Sequence, residues 1–310
     1  MQYWYRNILS DYNREVSDKT WPPQKIDIIK ESTGEVTEKS LYIFKEENLG
    51  EKMSIDDKAI GNDGFTILSN QETSKIALMV ESTKSEEVQK SIGLFGEKLS
   101  VIKNISMDMS ATYALVCNNL MPNATQVIDK FHVMKYVYEA VGEVRNQIRK
   151  DITSTITKGK KKTDEDKQKL SEIEQLRRIN HAITQSPDKW SEEMKNTVNQ
   201  VFEKYSNLKM AYQVSQDFKR WYDYENRNKT SIEVKYNLYK WYYKAMKVDK
   251  FEGVIKMIRK HEDEILNFFK NGMTSARAER TNGKIERFVS NNYGIKNKDF
   301  FIYRLAGYFS

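Results

Sequence analysis

Met53-Ser54-Ile55-Asp56-Asp57-Lys58 is the stretch on which the fold turns: a short alternating segment that ends in acids and opens a series of similar segments. Its pattern reads as a strand. Gly64-Phe65-Thr66-Ile67-Leu68-Ser69 and Lys75-Ile76-Ala77-Leu78-Met79-Val80 read as two more, and the short connections between them suit an antiparallel meander. Val88, Ile92, Phe95 and Leu99 then recur at helical spacing, which predicts a helix with one buried face. Val101-Ile102-Lys103-Asn104-Ile105-Ser106-Met107-Asp108 is a fourth strand, again ending in Asp. A short helix over 110–120 stops before Met121-Pro122-Asn123, and Thr125-Gln126-Val127-Ile128-Asp129 is the fifth strand. A long helix follows, with Val133, Val137, Val141, Val144 and Ile148 as its apolar stripe.

Three antiparallel strands followed by crossover-linked parallel ones predict an α/β protein built on one mixed five-stranded sheet with helices on both faces. This is the order of the ribonuclease-H-like fold, and order alone leaves function open. In such a sheet the first and fourth strands are neighbours, so Asp56 and Asp108 would face each other. Two carboxylates at that range repel unless a cation lies between them, and Mg²⁺, an oxygen-seeking ion, suits the place. A third acid from a late helix would complete a site for two ions, an arrangement that supports in-line phosphoryl transfer.

The candidate for that late helix is Thr274-Ser275-Ala276-Arg277-Ala278-Glu279-Arg280-Thr281-Asn282-Gly283-Lys284-Ile285-Glu286-Arg287-Phe288. As a helix it aligns Ala278, Thr281, Ile285 and Phe288 on one buried stripe, with Glu279, Asn282 and Glu286 on the next. By itself this fits a surface helix laced with ion pairs as well as an acid held at a site. From Lys270 to Arg304 there are eight Lys or Arg against Glu279, Glu286 and Asp299, which makes phosphate the natural partner of the region.

These residues carry a resemblance. Ser54-Ile55-Asp56-Asp57, Ile105-Ser106-Met107-Asp108-Met109-Ser110, Met121-Pro122-Asn123-Ala124 running into Val127-Ile128-Asp129-Lys130-Phe131-His132, and Ala278-Glu279-Arg280-Thr281-Asn282-Gly283-Lys284 together resemble the DDE transposases of bacterial insertion sequences. The match is to the ISL-three family, in its ISAon-like branch, from about residue 51 to 310. The resemblance implies Asp56, Asp108 and Glu279 as catalytic metal ligands, with two Mg²⁺ or Mn²⁺ ions as cofactor. It implies double-stranded DNA, at transposon ends and at the target, as substrate, and a homo-multimer on that DNA. Arg280, Asn282, Lys284 and Arg287 are then the DNA contacts. Asp57 stands where the family has Glu and is a helper. Asp129 and His132 belong to the family's Asp-Arg-Phe-His motif, with Lys130 in place of Arg; Asp129 is read as a helix cap or a support for the ligands rather than a ligand. Family members carry an N-terminal zinc-binding and helix-turn-helix region that this sequence does not supply, which implies end recognition by a separate chain or a removed segment.

The remaining sequence divides accordingly: 1–50 as an N-terminal extension, 51–150 and 270–310 as the two parts of the catalytic core, and 151–269 as a large all-helical insertion. Within the insertion, stripes such as Leu170, Ile173, Leu176, Ile179 and Val234, Leu238, Trp241, Ala245 mark helices. Trp221, Tyr222, Tyr224, Trp241, Tyr242 and Tyr243 read as helix packing, with stacking on opened DNA bases as the alternative. Lys158-Gly159-Lys160-Lys161-Lys162 reads as a solvated loop, with DNA contact as the alternative. Apolar residues make up 39% and charged residues 31% of the chain, no apolar run is long enough for a bilayer, and the start is no signal peptide, so the expectation is a cytoplasmic protein with no membrane partner. A single Cys117 and three histidines exclude a multi-cysteine zinc site. Two other functions fit the same residues: a nuclease of this fold that cleaves without joining, and a catalytically inactive DNA-binding derivative of a transposase.

Overall fold

A short helix, α1 (Tyr12–Ser17), precedes seven strands and two helices: β1 (Gln24–Ile29), β2 (Val36–Phe44), β3 (Lys52–Ile60), β4 (Asp63–Asn70), β5 (Ile76–Val80), α2 (Ser85–Gly93), β6 (Asn104–Met107), α3 (Ala111–Leu120) and β7 (Thr125–Ile128). This computed structural model describes residues 10–29, 34, 36–157, 162–226, 229–270, 283–288, 290–291 and 297–309. The strands form one sheet in the order β1-β2-β5-β4-β3-β6-β7. β5, β4 and β3 are antiparallel neighbours, and β3, β6 and β7 are parallel.

Among the described residues the sheet therefore has seven strands rather than five. The two extra ones come from the segment read as an extension packed on the core. β2 pairs with the outer edge of β5, and β1 pairs with β2. An uncovered β5 would have left a row of backbone donors and acceptors unpaired beside a fully buried strand. Leu41, Tyr42 and Ile43 of β2 are buried, whereas β1 buries only Ile28 and carries the cross-strand pair Lys25–Glu38. That polar edge strand has little apolar pattern to announce it.

Alternation along β4 sorts the two faces. Phe65 and Ile67 join Ile60, Ile285, Phe301, Ile302 and Leu305 in one core. They lie beneath α11 (283–288) and α12 (Lys298–Phe309). Thr66, on the opposite face, meets Tyr113 of α3 at 3.2 Å. Helices thus cover both faces.

The helix predicted from Val88 to Leu99 breaks after Gly93, and the chain continues through 3-10 turns over Gly96–Val101. Gly96 has φ +55°, a left-handed conformation that only glycine adopts without strain. Val88, Ile92, Phe95 and Leu99 are nonetheless all buried. Cys117 of α3 is buried too, and burial pushes its thiol up to about 12. A thiolate reagent at mildly alkaline pH should leave the folded chain unlabelled and modify one cysteine once denaturant is added; rapid labelling of the native chain would contradict this burial.

Contacts divide the chain into two compact units, Met1–Asp129 with Asn271–Ser310 and Lys130–Lys270. The long helix α4 (Lys130–Ser154), read from the sequence as part of the core, groups with the helical unit. That unit continues with α5 (Asp164–Arg178), α6 (Glu192–Lys204), α7 (Ser206–Arg220), α8 (Ser231–Ala245), α9 (Glu252–Lys260) and α10 (Glu262–Lys270). Thr163 with Asp166, and Thr230 with Glu233, form capping boxes that start α5 and α8. Phe218, Trp221 and Trp241 build an aromatic core, with Phe218 and Trp241 at 4.4 Å between centroids. Both indole N–H groups are satisfied inside it, Trp221 by Val234 O at 3.1 Å and Trp241 by Val214 O at 2.9 Å. Helix α7 has no counterpart in the sequence reading, although Leu208, Ala211, Ser215 and Phe218 repeat at helical spacing. Among the described residues no helix is long and apolar enough to cross a membrane.

Candidate active site

Strand register brings the acids together. β3 and β6 run parallel with Met53 beside Ile105 and Ser54 beside Ser106. Two residues further along each chain come Asp56 and Asp108, on the same side of the pleat as that last pair. β6 and β7 are parallel with Met107 beside Ile128, so Asp129 follows next to Asp108. Asp129 N also donates to Met107 O at 2.8 Å. The expected adjacency of the first and fourth strands is thus present, and Asp108 and Asp129 end their strands where loops leave an open α/β sheet, the usual place for a ligand.

Local hydrogen bonds hold two of these carboxylates. Asp56 Oδ1 accepts from Asp57 N at 2.9 Å, and Asp108 Oδ1 accepts from Ser110 N at 2.8 Å. Ser110 in turn caps α3 by accepting from Thr112 N. The turn after β6 is therefore fastened to the start of a helix by the Asp108 carboxylate.

Lys58 is a neighbour that the sequence reading passed over. It lies two residues from Asp56 and so on the same face of β3, which is the signal that would have found it. Its Nζ is 3.4 Å from Asp56 Oδ2 and 3.1 Å from Glu286 Oε1 on α11. Glu286 is exposed, while Ile285 beside it is buried in the core. Burial alone would lower the Lys58 pKa, but Asp56 and Glu286 outweigh it and raise the group above the ordinary 10.5. A folded pKa above the unfolded one contributes stability that is whole below pH 10.5 and is lost as pH rises through the raised value. The Lys58→Met chain should melt below the parent at neutral pH, and the gap should close above pH 10.5. A gap independent of pH would mean that packing, not charge, is what Lys58 contributes.

Asp57 faces the other way, directly opposite Thr66 in the β3–β4 register. Thr66 Oγ1 donates to Ser82 O at 2.7 Å and meets the Tyr113 hydroxyl. The Tyr113 phenol is held well above its usual range, first by burial and then by Asp57, Asp108 and Asp56, with the Thr66 contact opposing. One buried hydroxyl thus senses the charge of three acids drawn from two strands.

Lys284 and Arg287 are exposed on α11, and Arg287 Nε donates to Gly283 O at 3.0 Å. His132 sits on the first turn of α4 in the helical unit, half-buried, with its ring edge-on to Phe131 at 5.7 Å. Glu279, Arg280 and Asn282 lie outside the described residues. Among the described residues no group of three or more His, Cys, Asp or Glu could hold a metal. Asp56 and Asp108, which follow neighbouring parallel strands, are carboxylates, the chemistry a hard divalent ion selects. The Lys58 ammonium, 3.4 Å from Asp56 Oδ2, balances the charge of that carboxylate.

Comparison with known families finds that a model for transposases of the ISL-three DDE type covers residues 53–305, which is most of the chain. No curated protein and no solved structure matches.

Proposed function

The chain belongs to the ISL-three family of DDE transposases, and on that premise we propose that it is the catalytic chain that cuts DNA at transposon ends and joins the freed 3′-hydroxyl to target DNA. The sheet is read as ribonuclease-H-like, since β5-β4-β3-β6-β7 has the order and directions of that fold. The observation that carries the reading is the parallel register of β3 and β6, with Ser54 beside Ser106, since Asp56 and Asp108 each follow that pair by two residues.

Asp56 and Asp108 are the two ligands contributed by the sheet, and Glu279 is the third. Glu279 precedes Glu286 by seven residues, about two helical turns, so the two would share a stripe if the segment were helical, and Glu286 reaches the Lys58 that touches Asp56. Bound Mg²⁺ or Mn²⁺ would activate the attacking oxygen and neutralise charge on the leaving one. In the joining step the 3′-oxygen forms a new bond to the target phosphorus, the bond to the target's own 3′-oxygen breaks, and the proton passes from the attacking hydroxyl to that leaving oxygen. Arg280, Asn282, Lys284 and Arg287 are assigned to the DNA backbone, where Lys and Arg neutralise phosphate. Asp57, Asp129 and His132 are assigned supporting roles. Double-stranded DNA is the partner, engaged by a homo-multimer, in the bacterial cytoplasm.

The test is a strand-transfer assay with a duplex carrying a free 3′-hydroxyl and a labelled target, with and without Mg²⁺. Joined product that requires the ion supports the reading. Cleavage without joining would make the chain a nuclease of the same fold, and DNA binding without either would make it an inactive derivative.

A further inference from the structure

Helix α8 has two apolar sides. Val234, Leu238, Trp241, Tyr242 and Ala245 are buried in the helical unit. Ile232, Tyr236, Tyr239, Tyr243 and Met246 form a second stripe, spaced alternately four and three, that is 82, 59, 49, 67 and 56% exposed. So continuous an apolar row on a surface marks an interaction site.

Its chemistry narrows the partner. Lys240 lies over the Tyr236 ring at 4.4 Å, Lys247 over Tyr243 at 5.1 Å and Lys235 over Tyr239 at 5.8 Å. Lys244 and Lys247 also line a groove of about 990 Å³, shared with Lys189, Lys219 and Arg220 against Asp188, Asp217 and Asp223. From Ser231 to Lys247 the only acid is Glu233, against four lysines. A second apolar helix laid on the stripe would bury the Lys240 and Lys247 ammonium groups without a carboxylate to receive them, which is strongly unfavourable. A strand of nucleotides supplies both halves: bases for the tyrosine faces and phosphates for the displaced lysines. Successive tyrosines lie about 4.5 and 6 Å apart along the helix axis, beyond the 3.4 Å stacking of a duplex strand, which suits separated bases rather than paired ones.

We propose that the exposed face of α8, with the adjoining groove, is a binding surface for single-stranded DNA, in which Tyr236, Tyr239 and Tyr243 stack on unpaired bases and Lys240 and Lys247 meet the phosphates, while Lys244 stays paired with Asp217 at 2.7 Å. The proposal rests on the reading of the chain as a DNA-processing enzyme and deepens it by naming the strand state that the helical unit handles. It separates the aromatics of the sequence: Trp221, Tyr222, Trp241 and Tyr242 are core, and Tyr243 is surface.

The experiment titrates the full-length chain into a fluorescein-labelled oligothymidylate in EDTA, so that no metal chemistry contributes, and repeats it with a duplex of equal length. The parent binds the single strand more tightly. The triple variant Tyr236→Ala, Tyr239→Ala, Tyr243→Ala weakens that binding by at least about 30-fold, while the triple Phe variant, which keeps the rings, retains it. Lys240→Gln with Lys247→Gln makes the salt dependence shallower by about 1.4 in log–log slope. Circular dichroism melts confirm that the variants fold, as expected for exposed side chains. Unchanged binding by the triple Ala variant overturns the proposal. Equal losses on duplex and single strand also overturn it, and so does a self-associated parent that the Ala variant converts to monomer with oligonucleotide binding intact. Asp108→Asn leaves this binding untouched. Tyrosine-dependent binding in a chain that joins no DNA would therefore sink the transposase reading alone, and the reverse result would sink this one alone.

Discussion

Asp108→Asn should reduce metal-dependent cleavage and joining by about 10³-fold, equivalent to about 4 kcal/mol of transition-state stabilisation, with little change in stability. The two effects separate because the side chain has two duties. Its Oδ1 accepts from Ser110 N at 2.8 Å, and an asparagine oxygen can accept the same bond, so the turn into α3 survives. The negative charge does not survive, and on the proposed reading charge is what a divalent ion requires of that carboxylate. Strand-transfer rates at saturating Mg²⁺, set beside the urea midpoints of the two chains, measure both quantities. Activity within a few-fold of the parent would remove Asp108 from the chemistry. A large drop in midpoint would reassign it to the fold.

Phe301→Ala should cost about 3–5 kcal/mol in the unit that holds the sheet. Phe301 is 2% exposed, lies in the core with Ile67, Ile285 and Leu305, and has its ring 5.5 Å from that of Phe288. Removing it opens a cavity between β4 and α12 that neither element can close, because both are tied down elsewhere by Ile302, Leu305 and Phe65. The consequence extends toward the acids: Ile285 sits in the same core, and its neighbour Glu286 reaches Lys58. The variant should therefore also lose the high-pH sensitivity attributed to Lys58. Urea unfolding and the pH dependence of melting check both parts. A cost under about 1 kcal/mol would mean that α12 is not packed on this face.

The five inner strands were legible because each is short, apolar and bounded by turn residues, a pattern that depends on nearest neighbours in the chain. Their acids were legible for the same reason, since Asp56, Asp108 and Asp129 all follow an apolar run. β1 was hidden: Gln-Lys-Ile-Asp-Ile-Ile buries one side chain, and its strand character comes from pairing with β2 rather than from its own pattern. The break after Gly93 was hidden too, because Phe95 and Leu99 stay buried through a 3-10 turn as they would in a helix. The exposed row on α8 was obscured by a stronger one, since Trp241 and Tyr242 sit beside Tyr243 and only burial tells the rings apart.

Sequence alone determined the family and the strand order of the inner sheet, both of which reside in local spacing and residue type. Tertiary structure decided that the sheet has seven strands, that Lys58 stands between Asp56 and Glu286, and which tyrosines face water. Those depend on pairing between segments tens to hundreds of residues apart, where the free energy comes from edges covered, charges matched and surface removed from water. None of these is a property of either segment by itself.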